Sequence, residues 1–528
     1  MTKFKLLTGA VCAAAVLAAS TANAAPAVKP DPKAGSAHVQ CDGEPNNVTG
    51  GETAARLIGA VTLLGLFAPA PEAADASKRK FGAEGVAVCT TLIEGEKKEG
   101  NPKRRLGLIL ARAIHQIEAK NHQAALADVT LARREAEAAG LMADPYFVRT
   151  RGRAFDLIES AALLRMDKAA EAREAALRGQ DGVQYSLFGL AALPDFGDYI
   201  RAASPAADLR MERLSRLLPG VSGDRAERLE LQGRFADAAR VRDALVDFDA
   251  ANTPEFNGSV VMMHAALSHA LAGNAARAGE LAFNAKVNAD KRKADGKPET
   301  DLAELVELTD LYGIVRTADA GDFKTARRLF SARSEWVGAS LGSVAEVNRR
   351  LRNGAAPDEL IGGLQRDADA LWAARAEAKR AELFAKDADN KTLFNLMPAA
   401  VPAAAYEGVS KQVWRADKSK LVLKLSDKAR GTSKFETMFL YGVDPRVVMD
   451  AYTLHAALIA RSRGHEGFVI APAVSGSIIA ASFRTGAKGE PGLPADLFLD
   501  AGDVIAKLSP LIPDPAALKA RKLAANKR

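Results

Sequence analysis

The sequence predicts a mainly α-helical protein, an α-solenoid of helix hairpins with a small C-terminal α+β module. A short phrase with a glycine and a following alanine recurs at the turns between apolar helical stretches, which indicates an array of repeats and not one compact core. The chain is rich in Ala, Leu and Arg and only 6% aromatic, a composition typical of closely packed helices. Near the C-terminus apolar and polar residues alternate instead, which predicts strands.

The recurring phrase puts a glycine at the turn before the second helix of each pair, then an aromatic residue or an alanine, then an alanine three residues later. The glycine permits a tight connection, and the small alanine lets the two helices cross closely. The nine signature residues are Gly233, Phe235, Ala238, Gly273, Ala275, Ala278, Gly321, Phe323 and Ala326. Weaker versions of the phrase begin at His122 and at Met166.

In these residues the chain resembles the tetratricopeptide-repeat (TPR) family, in which a turn residue and an aromatic residue begin the second helix. The resemblance covers roughly residues 103–335. The interval from Phe235 to Ala275 is 40 residues and that from Ala275 to Phe323 is 48, against about 34 in the standard repeat. His122 also stands where the family has an aromatic residue. The resemblance therefore implies degenerate repeats whose concave face binds an extended peptide or a protein surface.

The first residues have the three-part layout of a secretory signal peptide. Lys3 and Lys5 form a basic start, Leu6–Ala19 is an apolar run, and Ala22-Asn23-Ala24 is a small-residue cleavage site. The apolar run is too short to span a bilayer stably, and no other stretch approaches the ~20 apolar residues that a membrane helix needs. These features predict an exported, periplasmic protein with no integral membrane segment.

Loss of the leader removes Cys12 and leaves Cys41 and Cys89. An even pair of cysteines in an exported chain predicts one disulfide bond. The alternative is a reactive Cys89 thiol with His115 as its base. The predicted divisions of the chain are a signal peptide at 1–24, an N-terminal segment and disulfide-bonded helical cap at 25–102, a TPR-like solenoid at 103–388, an α+β module at 389–512 and a basic tail at 513–528.

The α+β module is predicted from one helix and four strand candidates. Asp444 and Pro445 supply an N-cap and a first-turn proline, and Gly464 supplies a stop, so we expect a helix between them. The strand candidates are Lys420–Ser426, Thr437–Tyr441, Phe468–Val474 and Ser477–Phe483. This order predicts a small sheet with the helix packed on one face.

The sequence offers no motif for catalysis, for a cofactor or for a metal ion. Its formal net charge of +7 is spread over 528 residues, whereas a nucleic-acid-binding domain concentrates basic residues on one face. The seven histidines show no metal-ligand spacing, and phosphate-binding and nucleophile-elbow glycine motifs do not occur. We therefore predict no catalytic, cofactor-binding or metal-binding residue and no nucleic-acid partner.

These observations predict a non-catalytic periplasmic scaffold or adaptor that binds a protein or peptide partner in the cell envelope. One alternative is a cell-envelope hydrolase such as a lytic transglycosylase, in which Glu159, followed by Ser160, would be the catalytic acid. Another alternative is a component of an outer-membrane assembly or transport complex. The sequence leaves open the identity of the partner and the oligomeric state.

Overall fold

The computed structural model describes residues 35–46, 73–96, 98–197, 200–252, 258–297, 301–387, 390–398, 401–415, 421–423, 434–475 and 478–525. The predicted signal peptide at 1–24 lies outside these residues. The chain is mainly α-helical, with many packed helix pairs and a four-stranded antiparallel sheet near the C-terminus. The predicted fold class is therefore confirmed.

The helices have these bounds in chain order: α1 (Ala37–Asp42), α2 (Gly82–Glu94), α3 (Pro102–Glu118), α4 (His122–Ala138), α5 (Pro145–Arg149), α6 (Arg153–Arg165), α7 (Ala169–Leu177), α8 (Leu187–Ala191), α9 (Pro205–Leu217), α10 (Ser222–Leu231), α11 (Phe235–Asn252), α12 (Ser259–Leu271), α13 (Ala275–Ala294), α14 (Leu302–Asp319), α15 (Phe323–Ser331), α16 (Leu341–Arg352), α17 (Ala368–Asp387), α18 (Asn390–Phe394), α19 (Ala403–Val413), α20 (Pro445–Ser462), α21 (Ala501–Leu508) and α22 (Pro515–Ala525). The strands are β1 (Glu436–Phe439), β2 (Gly467–Ser475), β3 (Ile478–Gly486) and β4 (Leu499–Asp500). Helix α22 falls within the stretch that the sequence indicated as a basic tail.

The described residues form two compact units. The first unit consists of the described residues up to Gly182 together with Leu383–Val401, and the second consists of Val183–Glu382 together with the chain from Pro402 onward. A short segment around residue 390 therefore belongs to the N-terminal unit, although the whole of Val183–Glu382 precedes it in the sequence. The division into two units does not test the predicted limits of the helical array, residues 103 and 388.

The first unit is built from helices packed in sequence order, α2 on α3, α3 on α4, α4 on α6 and α6 on α7. Its central helix α3 turns one apolar side chain per turn toward the core, and the four residues of this stripe are at most 2% exposed: Leu106, Leu110, Ile114 and Ile117. A disulfide bond between Cys41 and Cys89 joins α1 to α2, which confirms the predicted pairing.

The second unit contains three consecutive helix hairpins, α10 with α11, α12 with α13, and α14 with α15. Successive hairpins pack on each other through α11 against α12 and α12 against α14. Helix α16 then contacts α10, α12 and α14, the first helix of each hairpin, and also α15. This last packing has no counterpart in a simple array, where a following hairpin would continue the series.

The sheet has the strand order β1-β3-β2-β4, and every neighbouring pair is antiparallel. Three strand candidates from the sequence correspond to β1, β2 and β3. Of the fourth candidate only residues 421–423 are described, and Val422 forms a single bridge to Met438 of β1. The predicted helix is α20, whose first turn is capped by the Asp444 carboxylate and which is followed by Gly464 in the left-handed conformation at φ 72°.

Both faces of the sheet are covered within the second unit. Val469 and Ile470 are adjacent in β2, so their side chains point to opposite faces, and both are 0% exposed. Helix α20 contacts β2 and β3, while on the Val469 side Phe248 of α11 packs on Phe435 with ring centroids 5.6 Å apart. The sheet is therefore an internal layer, whereas the sequence predicted a cover on one face only.

A buried histidine in α20 makes the stability of the second unit depend on pH. His455 is 0% exposed, and its Nδ1 donates a hydrogen bond of 2.6 Å to the Val413 carbonyl oxygen. Burial lowers the pKa of His455 below its ordinary value, although the bond to Val413 acts in the opposite direction. On acidification the unfolded chain therefore takes up this proton first, and stability that is present above about pH 6.5 is lost as the pH falls.

We expect the free energy of unfolding to fall more steeply in the wild type than in His455→Gln between about pH 7.5 and pH 5.5, by at most about 1.4 kcal/mol per pH unit. Urea titrations at a series of pH values measure both slopes. Equal slopes for the two proteins would contradict this assignment, whatever the constant difference in stability between them.

Candidate functional site

The signature glycines all lie at hairpin turns in the left-handed conformation, with φ of 75° at Gly233, 83° at Gly273 and 89° at Gly321. At each turn the glycine N–H and the following N–H close onto the end of the preceding helix, as Gly273 to Ala270 (3.1 Å) and Asn274 to His269 (2.8 Å) illustrate. This is the Schellman arrangement, which favours glycine. The signature alanines Ala238, Ala278 and Ala326 are all 0% exposed.

The exposure of the aromatic residue or alanine two positions after each signature glycine varies in the structure. Phe235 is 8% exposed, Phe323 is 41% exposed and Ala275 lies on the surface. The signature residues therefore hold hairpins together, and Gly233 and Phe235 also line a cavity.

The two earlier hairpins use the same turn without glycine. Lys120 and Asp167 occupy the left-handed position with φ of 63° and 61°, and Lys120 and Asn121 donate the two closing bonds to Ile117 and Gln116. A side chain at this position crowds the backbone, so Lys120→Gly should raise the free energy of unfolding by about 0.5–1 kcal/mol. Chemical denaturation measures the change.

The matched control for this prediction is Gly273→Ala. A Cβ at Gly273 meets nothing within 4 Å, so any change in stability comes from the backbone conformation alone. We expect a loss of about 1 kcal/mol. A stabilising Gly273→Ala or a destabilising Lys120→Gly would show that the turn conformation does not control these hairpins.

A cavity of about 360 Å³ opens in the second unit between the α10–α11 turn, α16 and the start of α17. Phe235, Leu341 and Trp372 contribute apolar walls, and Arg201 and Arg349 line it as well. This volume lies at the lower end of the range for ligand pockets. It is large enough for one large side chain of a partner.

The two arginines at this cavity form ion pairs in which at least one side chain is exposed. Arg201 contacts Asp369 at 3.0 Å, and the Asp369 side chain is 89% exposed. Arg349 contacts Glu346 at 2.8 Å, and the Arg349 side chain is 65% exposed. Exposed ion pairs contribute at most ~1 kcal/mol, so an incoming polar group can replace these contacts at small cost.

The floor of the cavity is rigid by comparison. Glu230, 2% exposed, accepts hydrogen bonds of 2.9 and 3.3 Å from Arg242 and further bonds from the Ser268 and Ser340 hydroxyls. Burial alone raises the pKa of Glu230, but the Arg242 charge and these hydrogen bonds bring it below its ordinary value. Glu230 is therefore an ionised carboxylate that joins α10, α11, α12 and the N-cap of α16.

Close backbone contact explains how α16 reaches this position. A Cβ on Gly342 would lie 2.5 Å from the carbonyl carbon of Glu230, so only glycine allows the backbones of α10 and α16 to approach this closely. Because α16 contacts the first helix of each of the three hairpins, it covers part of the face that such helices share. The cavity lies at the N-terminal end of α16.

Glu159 and Cys89, on which the alternative enzyme hypotheses depend, and two of the histidines are engaged in ion pairs or in a covalent bond. The Glu159 carboxylate contacts Arg178 and lies 3.4 Å from Arg133 Nη2. Cys89 is part of the disulfide bond, so the alternative of a reactive Cys89 thiol is wrong for this oxidised chain. His264 and His269 pair with Glu304 and Asp243 at 2.8 Å each. In the described part of the chain, no three His, Cys, Asp or Glu residues are grouped to hold a metal ion.

The first unit contains a second candidate site, a pocket filled by Phe394 of α18. The Phe394 ring contacts the Arg79 guanidinium, 3.8 Å from the ring centroid, and the His115 ring, whose centroid is 5.2 Å away. Met397 follows, and its sulfur accepts a contact of 3.8 Å from Arg151 Nη1. We call the residues Arg79, His115 and Arg151 with the adjoining surface of α3 the Phe394 pocket.

The walls of the Phe394 pocket depend on the disulfide-bonded helix α1. His115 Nε2 donates to the Cys41 carbonyl oxygen at 2.8 Å, and Nδ1 lies 2.9 Å from the Glu118 carboxylate. The Lys80 N–H, next to Arg79, donates to the Gln40 carbonyl at 2.8 Å. A Cβ on Gly85 would lie 2.5 Å from the His115 ring, so glycine is required there. The bond from Cys89 to Cys41 thus anchors the helix that contacts His115 and the residue next to Arg79, the two groups that meet the Phe394 ring.

No family model, curated protein or solved structure matches this chain. Within the described ranges, none of the helices combines the length and the apolar character needed to cross a membrane. The class that the fold defines is a largely helical protein of packed helix pairs with a small sheet.

The sequence patterns predicted neither candidate site. Arg201, Arg349 and Trp372 come together from separate parts of the second unit, and no local pattern indicated them. Phe394 lies in a short polar-flanked stretch, and its only sequence signal is the apolar cluster around it. Gly233 and Phe235 were identified from their repeat, which says nothing about a cavity.

Proposed function

We propose that the protein is a non-catalytic, TPR-like adaptor of the cell envelope and that it binds a peptide or protein partner. The cavity of the second unit receives one large apolar side chain of that partner. The observation that carries this proposal is the combination of an open cavity that has apolar walls with a buried, ion-paired floor at Glu230 and exposed arginine ion pairs around it. Partner surfaces commonly combine an apolar centre with a polar rim, and a preorganised pocket lowers the entropic cost of binding.

The TPR-like assignment is supported by the hairpin turns. Left-handed glycines at Gly233, Gly273 and Gly321 and fully buried alanines after them follow the signature that suggested the family. Helix α16 is a departure from it, because it covers part of the face on which a TPR array would bind its ligand. The cavity beside α16 is therefore the place where we expect the partner to bind.

An exported location is supported by two observations. The disulfide between Cys41 and Cys89 is typical of proteins in oxidising compartments such as the bacterial periplasm. The signal-peptide pattern at residues 1–24 predicts export to the same compartment. Together they favour a periplasmic partner.

The test is a selection of random linear peptides on the purified protein, followed by affinity measurements on the cavity-filling variant Ala345→Trp. Ala345 lines the cavity and is half-buried, so an indole there occupies the space that the partner side chain needs. We expect the selected peptides to lose at least about tenfold in affinity. Fluorescence anisotropy of labelled peptides measures the change.

The matched control is Ala373→Trp. Ala373 is exposed on α17 and is not part of the cavity wall, so peptide affinity should be unchanged. If selection yields no saturable binder, or if both variants bind alike, the cavity is not the binding site. If the protein releases muropeptides from purified cell wall and Glu159→Gln abolishes this release, the protein is a hydrolase and the adaptor proposal is wrong.

A further inference from the structure

The Phe394 pocket and its occupant come from different parts of the sequence. The pocket consists of residues before Gly182, whereas residues 390–398 follow the whole of Val183–Glu382 and return to the first unit. The occupant carries four apolar side chains in five positions, and all four pack on the core of the first unit: Leu393, Phe394, Leu396 and Met397. Pocket and occupant can therefore be treated as a receptor and a bound peptide.

The occupant is a short self-contained structure. Helix α18 ends at Phe394, and two further backbone bonds, Leu396 to Leu393 at 3.0 Å and Met397 to Phe394 at 3.1 Å, continue the turn. This turn places Leu393 and Phe394 against the core, where they are 3% and 8% exposed. A peptide of this length thus presents one continuous apolar face.

Each wall of the pocket recognises a particular kind of side chain. A guanidinium stacked on an aromatic face gains a cation–π attraction that an aliphatic side chain does not offer, and Arg79 makes this contact with Phe394 at 3.8 Å. The Arg151 guanidinium meets the polarisable sulfur of Met397. Burial lowers the pKa of Arg79 and of Arg151; Arg79 is 9% exposed and Arg151 is half-buried.

We propose that the first unit is a recognition module for short segments of the pattern Leu-Phe-x-Leu-Met and that residues 390–398 occupy it as an internal ligand. The external partner is a protein segment with the same pattern. This site is separate from the cavity of the second unit and does not depend on the proposed function. An internal ligand acts at an effective concentration in the millimolar range, so a partner segment binds only when residues 390–398 leave the pocket.

The test uses the full oxidised chain with its internal ligand weakened by Leu393→Ala and Phe394→Ala. The probe is a fluorescein-labelled peptide with the sequence of residues 388–399, and the control probe carries Phe394→Ala. We expect the native peptide to bind the variant chain saturably. Its affinity for the variant chain should be at least about tenfold higher than the affinity of the control peptide for the same chain. It should also be at least about tenfold higher than the affinity of the native peptide for the wild-type chain. Equal binding of the two peptides would overturn the proposal.

A second chain covers the case in which the double variant does not fold. It keeps the native side chains but carries a protease site on each side of residues 390–398, so that cleavage frees the occupant without changing it. The cleaved chain should exchange its fragment for labelled native peptide. A cleaved, folded chain that retains its fragment against an excess of peptide would show that the segment is ordinary core and would overturn the proposal.

Two arginine variants assign the recognition chemistry in the chain with the vacant pocket. Arg79→Met keeps the aliphatic stem and removes the cation, so peptide affinity should fall at least about tenfold. Arg134→Met is the matched control, because Arg134 is exposed on α4, and it should leave affinity unchanged. A concentration-dependent dimer of the wild type that excess peptide dissociates would overturn the internal-ligand assignment in favour of exchange between copies.

Discussion

Arg242→Met should destabilise the second unit by about 3–5 kcal/mol. The substitution leaves the Glu230 carboxyl group, 2% exposed, without its guanidinium partner, and the two serine hydroxyls cannot replace a full positive charge. Removal of one member of a buried ion pair is costly because the remaining charge has neither water nor a counter-ion. Urea denaturation followed by circular dichroism measures the loss.

The double variant Arg242→Met with Glu230→Leu should recover most of that loss. Buried ion pairs can often be replaced by apolar residues of similar volume with little change in stability. Ser268 and Ser340 keep other partners in that variant, because Ser268 Oγ also bonds to the His264 carbonyl at 3.0 Å and Ser340 Oγ accepts from the Ser343 N–H at 3.1 Å. A double variant as unstable as Arg242→Met would mean that specific hydrogen bonds to Glu230, and not its uncompensated charge, dominate.

Replacement of both cysteines by alanine should cost the first unit about 4 kcal/mol. The bond between Cys41 and Cys89 closes a loop with a sequence separation of 48 residues, and the loss of a constraint of this size increases the entropy of the unfolded chain by roughly that amount. Because the chain has two compact units, a single global transition is not assumed. Hydrogen exchange in α2 and α3 reports on the first unit directly.

The same variant has a local effect that chain entropy does not predict. Without the bond to Cys89, α1 loses its covalent attachment to α2, and the Cys41 carbonyl that orients His115 is held less firmly. We expect faster exchange at α18 as well as at α1, since Phe394 lies against His115. Unchanged protection at α18 would show that the Phe394 pocket does not depend on the disulfide.

The parts of the fold that depend on short-range rules could be predicted from the sequence. The glycine at 233 and the alanine at 238 predict a hairpin because a left-handed turn and close helix contact need those residue types within a few positions of each other. Asp444, Pro445 and Gly464 predict the ends of α20 for the same reason. The disulfide could be predicted from the expected oxidising compartment and from the even number of cysteines that remain after the leader is removed.

The parts that depend on distant residues could not be predicted. The second cover of the sheet comes from Phe248, nearly two hundred residues before Phe435. The position of α16 on α10 depends on Gly342, which in the sequence is an unremarkable glycine in a helix. Both candidate binding sites bring together side chains from three or more separate segments of the chain. The spacing of apolar residues along the sequence does not indicate such contacts.

The return of the chain to its first unit determines the order in which the protein can be completed. The polypeptide is synthesised from its N-terminus, so all of Val183–Glu382 must be made before Leu393 and Phe394 are available. Until then the N-terminal unit lacks two of its buried side chains and leaves an apolar pocket uncovered. Newly made chains therefore pass through a stage at which the earliest part is unfinished and exposed to chaperones, proteases and competing segments.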